Sequence, residues 1–175
     1  MYTPLQDDIR MLTQSTRDVY CYIDILDKNF KKIGTLDGQV ISDSYSFDSQ
    51  SDVRKTVSLS VHVADSSFLI GRDKKIWYDK YIEVSFGIRN IRTREILKYP
   101  IGVFLFYDIG YSYSESERTL SLSLVDRVAE LNGDKGGLLS GVTTKIEAGA
   151  DLRSALVSTV TQLGKIAKYR IDDPG

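Results

Sequence analysis

His62 is the only histidine in the chain, so hydrolysis of the Ser–His–Asp type has no other base available. Ser58 and Ser60 precede it at intervals of two, which in an extended run puts all three on one face. The same alternation describes ordinary outer-face residues, and no G-x-S-x-G turn is present to strain and expose a nucleophile. Cys21 is the lone cysteine; with one histidine beside it, a metal site has only carboxylates to draw on. In "GDKGGLLSG" (133–141), Lys135 precedes Gly136 and Gly137, and no Lys-Ser or Lys-Thr pair follows the last glycine. That reads as a connector and not as a phosphate-cradling loop. Glu115 and Glu117 in "SESER", with Glu83 and Glu95, are the carboxylates that a two-carboxylate glycosidase could use. Glu115 and Glu117 fall at a hairpin tip, where charge is ordinarily solvated. The expectation is a protein with no catalytic, cofactor or metal residues, and not an enzyme.

Binding chemistry has more to work with. "RNIRTREILK" (89–98) groups Arg89, Arg92, Arg94 and Lys98, and "GRDKK" (71–75) adds to the basic residues. Oligonucleotide-binding barrels combine such patches with exposed aromatics, and Tyr20, Tyr22 and Tyr81 are the partners for stacking. Against this, the formal net charge is −1, which gives no overall attraction to nucleic acid or an acidic membrane. Specific nucleic-acid binding is not expected. The eleven tyrosines point elsewhere: aromatic enrichment with few charges describes the core of a protein interface.

These residues sit on a chain dominated by strands. "RDVYCYIDIL" places Val19, Cys21, Ile23 and Ile25 on one face. "QVISDSYSF" places Ile41, Tyr45 and Phe47 opposite Ser42, Ser44 and Ser46. "KTVSLSVHV" sets Val57, Leu59, Val61 and Val63 against Ser58, Ser60 and His62. "YIEVSFGI" sets Ile82, Val84, Phe86 and Ile88 inward. "IGVFLFYDI" gives Ile101, Val103, Leu105, Tyr107 and Ile109 on the core face and leaves Phe104 and Phe106 on the other. "TLSLSL" opposes Leu120, Leu122 and Leu124 to Ser121 and Ser123. About seven strands of this kind predict mostly antiparallel pairing closed as a barrel or sandwich. A short helix opens the chain in "TPLQDDIRML", with Thr3 and Gln6 as a capping box and Pro4 at its first position. A second helix, "DLRSALVSTVTQL", carries Leu152, Ala155, Leu156, Val160 and Leu163 on one stripe and ends at Gly164.

The organisation expected is an N-terminal helical arm (1–16), a β-barrel (17–131), a glycine-rich linker (132–141) and a helix–strand segment (142–175). That last segment either begins an α/β domain or packs on the barrel. One cysteine leaves no internal disulfide framework and fits a reducing compartment. The opening residues lack the basic and apolar regions of a secretory signal. The longest apolar run, "IGVFLFY", is far below the ~20 residues of a membrane-spanning helix. A soluble protein made in a cytoplasm is expected.

The order of the segments "GQVISDSYSFDSQSDVRKTVSLSVHV", "KIWYDKYIEVSFGIRN", "YPIGVFLFYDIGYSYSESERTLSLSLVDRVAELNGDKGGLLSG" and "TTKIEAGADLRSALVSTVTQLGKIAKYRID" resembles the baseplate-hub, or tail-hub, proteins of tailed bacteriophages. Phages and prophages of Gram-positive bacteria are the nearest in character. The resemblance rests on Ser51, Asp52, Arg54, Lys55 and Thr56 opening one strand and on Trp77 before the next. Pro100, Gly102 and Phe104 open a third strand, and the "LSLSLxDxxAxLxG" run covers 120–133. It extends over most of the chain from about Gly38.

The resemblance implies a tail-tube-like barrel in a ring, commonly a trimer, that caps the tail tube and leaves a channel. The implied partners are copies of itself and other tail proteins. The implied place is the virion tail, assembled in the host cytoplasm. Such hubs carry two barrels, so this chain would supply the first barrel and the start of the next domain. The competing expectation is a carbohydrate or single-stranded nucleic-acid binding module on an oligonucleotide-binding-like barrel. For the assembly reading, the interface candidates are Phe104, Phe106, Tyr20, Tyr22, Ser42, Ser44, Ser46, Ser58, Ser60, Ser121 and Ser123.

Overall fold

The computed structural model describes residues 6–36, 39–63, 66–114, 118–132, 145–164, 166, 168 and 169. A short helix α1 (Gln6–Leu12) leads into seven strands: β1 (Val19–Leu26), β2 (Lys32–Thr35), β3 (Val40–Phe47), β4 (Lys55–His62), β5 (Tyr81–Arg89), β6 (Ile96–Tyr113) and β7 (Arg118–Asp126). Helix α2 (Leu152–Ser158) follows and runs on as a π-helical turn, Thr159–Leu163. The protein is mainly β, as the alternating pattern requires. All strand pairs are antiparallel, in the order β2-β1-β5-β6-β7-β4-β3.

The two edge strands of this order, β2 and β3, are neighbours in the chain. The Leu36 amide donates to the Ile23 carbonyl at 2.8 Å, extending the pairing of β2 with β1. The His62 amide donates to the Gln39 carbonyl at 2.8 Å, beginning the pairing of β3 with β4. The chain therefore has one partner strand at Leu36 and another at Gln39, as at the corners of rolled sheets. Leu36 is fully buried at that corner. The chain thus links the two edge strands, but among the described residues no ladder pairs β2 with β3, so the rolled sheet is not closed into the expected barrel.

The roll encloses one core. Ile23 and Ile25, Val57, Leu59 and Val61, Ile82 and Val84, Phe104 and Phe106, and Leu120, Leu122 and Leu124 all belong to it. The crossover from β4 to β5 adds Phe68 and Ile76. Of the residues expected inward, Val57, Leu59, Val61, Ile82, Val84, Leu120, Leu122 and Leu124 are there. Phe86 is half-buried with its ring edge-on to Tyr45, the centroids 5.0 Å apart. Leu105 lies in a separate cluster with Val125 and Ala129 on the outside of the sheet, beneath the 3₁₀ turn Arg127–Glu130.

The chain after β7 returns to the sheet. Asp151 caps α2 by accepting from the Ser154 amide at 2.7 Å. Gly164 is needed for contact: a Cβ there would lie 2.5 Å from Leu131 Cδ2 and 2.7 Å from the Val160 carbonyl. Further on, the Lys168 carbonyl accepts from Arg127 Nη1 at 2.9 Å. Lys168 Nζ stands 5.1 Å from the Phe30 ring centroid and donates to the Asn29 carbonyl. Phe30 occupies the left-handed region (φ 62), costly for a bulky residue. Its ring stacks on Tyr81 at 4.5 Å and lies under Arg127, whose Cζ is 4.8 Å away. The Leu152, Leu156 and Leu163 side chains of the expected stripe are exposed. The connector over 133–141 and most of the strand expected over 165–173 lie outside the described residues.

Candidate assembly surface

Register brings the serines together. Ser42 of β3 faces Ser60 of β4, which faces Ser121 of β7 and then Gly110 of β6. In the next row Ser44 faces Ser58, Ser123 and then Asp108. Ser46 faces Thr56, and His62 faces Thr119. The inward residues between them, Val57, Leu59, Val61, Leu120, Leu122 and Leu124, are buried, so the hydroxyls share the outer face. Seven serines that are scattered through three segments of sequence form one array. Strands lie ~4.8 Å apart and alternate residues ~6.8 Å apart, so neighbouring backbones are covered only by short hydroxyl side chains. Unlike lysine or glutamate, these lose little conformational entropy when a partner covers them.

Two bulges frame the array. The β3–β4 register shifts between Val40 and Ser42, leaving Ile41 as the extra residue. The β6–β7 register shifts between Phe106 and Asp108, leaving Tyr107 extra. Bulged residues leave the alternation, and Ile41 and Tyr107 are 54% and 53% exposed. They border the array with apolar area on β3 and β6. Period-two reading put both on core faces, and nothing local in the sequence marks either bulge.

The same irregularities correct the placement of Phe104 and Phe106. These were expected on the outer face and as interface residues. Both are 0% exposed and sit in the core. A shift between Val84 and Ser85 against Gly102 and Pro100 leaves Ile101 extra at one end, and Tyr107 is extra at the other. Each extra residue reverses which parity faces inward. Odd positions 97 and 99 face inward before the first bulge, even positions 102, 104 and 106 between the two, and odd positions 109 and 111 after the second. Phe104 pairs with the buried Ile82, and Phe106 with the buried Leu124. Neither phenylalanine can be covered by another subunit in this fold.

Tyr20 and Tyr22 lie on the outside of β1, separated from β7 by β5 and β6. Their strand has no sheet pairing with the serine-bearing strands β3, β4 and β7. Arg89 Cζ lies 4.9 Å from the Tyr20 ring centroid and Lys98 Nζ 3.8 Å from that of Tyr22. Tyr22 lies flat because Gly87 has no Cβ; one there would come within 2.7 Å of the Tyr22 ring and 2.8 Å of Ile96 Cγ2. The cations occupy ring faces on which a base or sugar would stack. Arg92 and Arg94 belong to the β5–β6 turn, which Asn90 closes by accepting from the Arg92 and Thr93 amides. His62 is exposed on the serine face. Glu115 and Glu117 lie outside the described residues.

The motifs behind the resemblance meet at one point. Asp126 Oδ2 accepts from the amides of Arg54 at 3.1 Å and Lys55 at 2.9 Å. Its Oδ1 accepts from the Val128 amide at 2.9 Å and so caps the 3₁₀ turn. Lys55 Nζ donates to the Ile101 carbonyl at 3.0 Å, inside the Pro100–Phe104 segment. Ala129, fully buried, lets that turn close on Leu105 and Val125. The sequence shows each motif, but not that they bind one another.

At the seam, Cys21 Sγ of β1 lies 3.0 Å from the Tyr45 hydroxyl of β3. Burial first, then hydrogen bonding with Cys21 and Asp43, pushes the Tyr45 phenol well above its ordinary 10.0. The folded state therefore keeps this proton after the unfolded chain has lost it. Tyr45 contributes stability that is complete below pH ~10 and is lost as pH rises above it. Burial and the Glu130 charge raise Tyr81 in the same direction. In denaturant titrations, Tyr45→Phe should lose less stability than the wild-type chain above pH ~10. Parallel losses would show that the seam proton is not linked to folding.

The site and fold thus define a rolled antiparallel β domain with a serine-rich outer face bordered by Asp108. No family model matches the chain, and no curated protein matches it. Among solved structures it is similar to a chain of the lidless PdpA–VgrG complex, at 9% identity and a TM-score of 0.36, covering 66% of this chain and 20% of that one. It is also similar to a chain of the half-lidded Francisella PdpA–VgrG complex, at 9% identity and a TM-score of 0.39, covering 71% and 20%. The chain spans about a fifth of the length of those chains. Likeness of this degree carries no functional argument. No described helix is long and apolar enough to cross a membrane.

Proposed function

We propose that this chain is a structural, non-catalytic module of a bacteriophage-type tail tip. In this reading it belongs to a hub ring that caps the tail tube in the virion. It associates with copies of itself, as a trimer when full length, and with neighbouring tail proteins. The observation that carries the reading is the array of Ser42, Ser44, Ser46, Ser58, Ser60, Ser121 and Ser123 in register on one outer face. The face presents hydroxyls flanked by Ile41 and Tyr107, with Asp108 the charge at its β6 border. The segment order that resembles tail hubs supplies the context. A closed ring needs head-to-tail contacts, so the serine face meets a different surface of the next subunit.

A standard interface buries ~800 Å² per partner, and in this reading the flanking apolar residues belong to the contact. Ser58→Lys combined with Ser121→Lys tests this. The two are not directly paired, and exposed substitutions of this kind change stability by about 0.5 kcal/mol or less. Covering two ammonium groups, by contrast, opposes association strongly. Sedimentation and electron microscopy of the assembling protein should show the ring lost with the monomer still folded. Rings formed as in the wild type would exclude this face as the interface.

A further inference from the structure

The "GRDKK" segment has no part in the assembly face. It belongs to the crossover from β4 to β5, which is pinned on both sides of the loop. Phe68 and Ile76 are buried in the core, and Ile70 bridges Ile76. The Gly71 amide donates to the Ile76 carbonyl at 3.1 Å, the Lys74 amide to Gly71 at 3.0 Å and the Lys75 amide to Ser67 at 3.1 Å. The loop is therefore held in one conformation before any partner arrives.

Between this loop, the 3₁₀ turn Ser66–Phe68 and β2 lies a recess of about 560 Å³. Its walls carry Arg72, Lys74, Lys75, Lys80 and the hydroxyls of Ser66 and Ser67, against one carboxylate, Asp73. The chain as a whole has a formal net charge of −1, so this concentration is local. Lys80 is paired with Asp79 at 2.7 Å. Lys75 Nζ rests 4.3 Å from the Phe68 ring centroid. Among the described residues, Arg72, Lys74 and Lys75 have no carboxylate partner. Like charges fixed around one recess repel each other, and an anion between them removes that cost. Arg72, Lys74, Lys75 and Lys80 all line this one recess. A guanidinium and two ammonium groups supply more donors than a single carboxylate can accept, whereas phosphate oxygens can accept them.

We propose that this recess binds a compact phosphate-bearing anion, with Arg72, Lys74 and Lys75 as its ligands. The inference is independent of the assembly reading. Calorimetric titration of the whole chain with inorganic tripolyphosphate at physiological ionic strength tests it, with circular dichroism as the control for folding. One saturable site is expected. Arg72→Ala with Lys75→Met, the methionine keeping the contact on Phe68, should weaken it by about tenfold or more. Arg92→Ala with Arg94→Gly, on the β5–β6 turn, should leave it unchanged. Absence of saturable binding, or equal weakening by the β5–β6 pair, overturns the proposal. Binding only to a single-stranded oligothymidylate, or only to phosphatidylglycerol vesicles, also overturns it, in favour of an extended polyanion surface.

Discussion

Phe106→Ala should lower the free energy of unfolding by about 3–5 kcal/mol. Phe106 is fully buried and packs in the single core that all the long strands share. It pairs with Leu124 across the sheet, so the lost ring leaves a cavity that a strand held on both sides cannot collapse to fill. Urea titration of the purified chain measures this directly. The neighbouring Tyr107→Ala provides the contrast: Tyr107 is bulged and largely exposed, and its loss should cost about 1 kcal/mol or less. Regular alternation predicts the reverse ranking, with Tyr107 inside and Phe106 outside. Equal effects, or a larger one at Tyr107, would show that the bulges are misplaced.

That reversal shows which parts of the fold can be read in the sequence. In β4 and β7 the pairing runs without a shift, and alternation alone sorts Val57, Leu59 and Val61 from Ser58 and Ser60, and Leu120 and Leu122 from Ser121 and Ser123. In β3 one extra residue, and in β6 two, each move the pattern by one, and the side chains beyond each change face. A bulge is set by tertiary pairing, and Ile41, Ile101 and Tyr107 are good strand residues that announce nothing. The serine face was legible as three separate stripes. Its existence as one array depends on strand order and register, which place β3, β4 and β7 side by side. Tyr20 and Tyr22 were grouped with the serines by composition, and strand order separates them.

Asp126→Ala should cost about 2–4 kcal/mol, more than the loss of an ordinary helix cap. One carboxylate accepts from the amides of Arg54, Lys55 and Val128. The first two lie where the β3–β4 hairpin enters β4, and the third begins the turn that covers Leu105 and Val125. Alanine removes the cap and leaves the Lys55 amide, which is part-buried, without its acceptor. It also frees the turn whose Arg127 and Glu130 carry the contacts to Phe30, Tyr81 and Lys168. The damage should therefore extend beyond β4. Hydrogen exchange should quicken at Arg54, Lys55 and Val128 together, and trypsin should cleave faster after Lys168. Asp126→Asn keeps one acceptor oxygen and can serve either the hairpin or the turn but not both, so an intermediate loss is expected. Asp52→Ala, at an exposed acid of the neighbouring motif, should change stability by about 0.5 kcal/mol or less. If Asp126→Ala behaves like Asp52→Ala, the hairpin and the turn are not joined through this carboxylate. If the hairpin and the turn loosen together, one requirement joins Arg54, Lys55 and Val128: a single carboxylate that locks two ends of the roll.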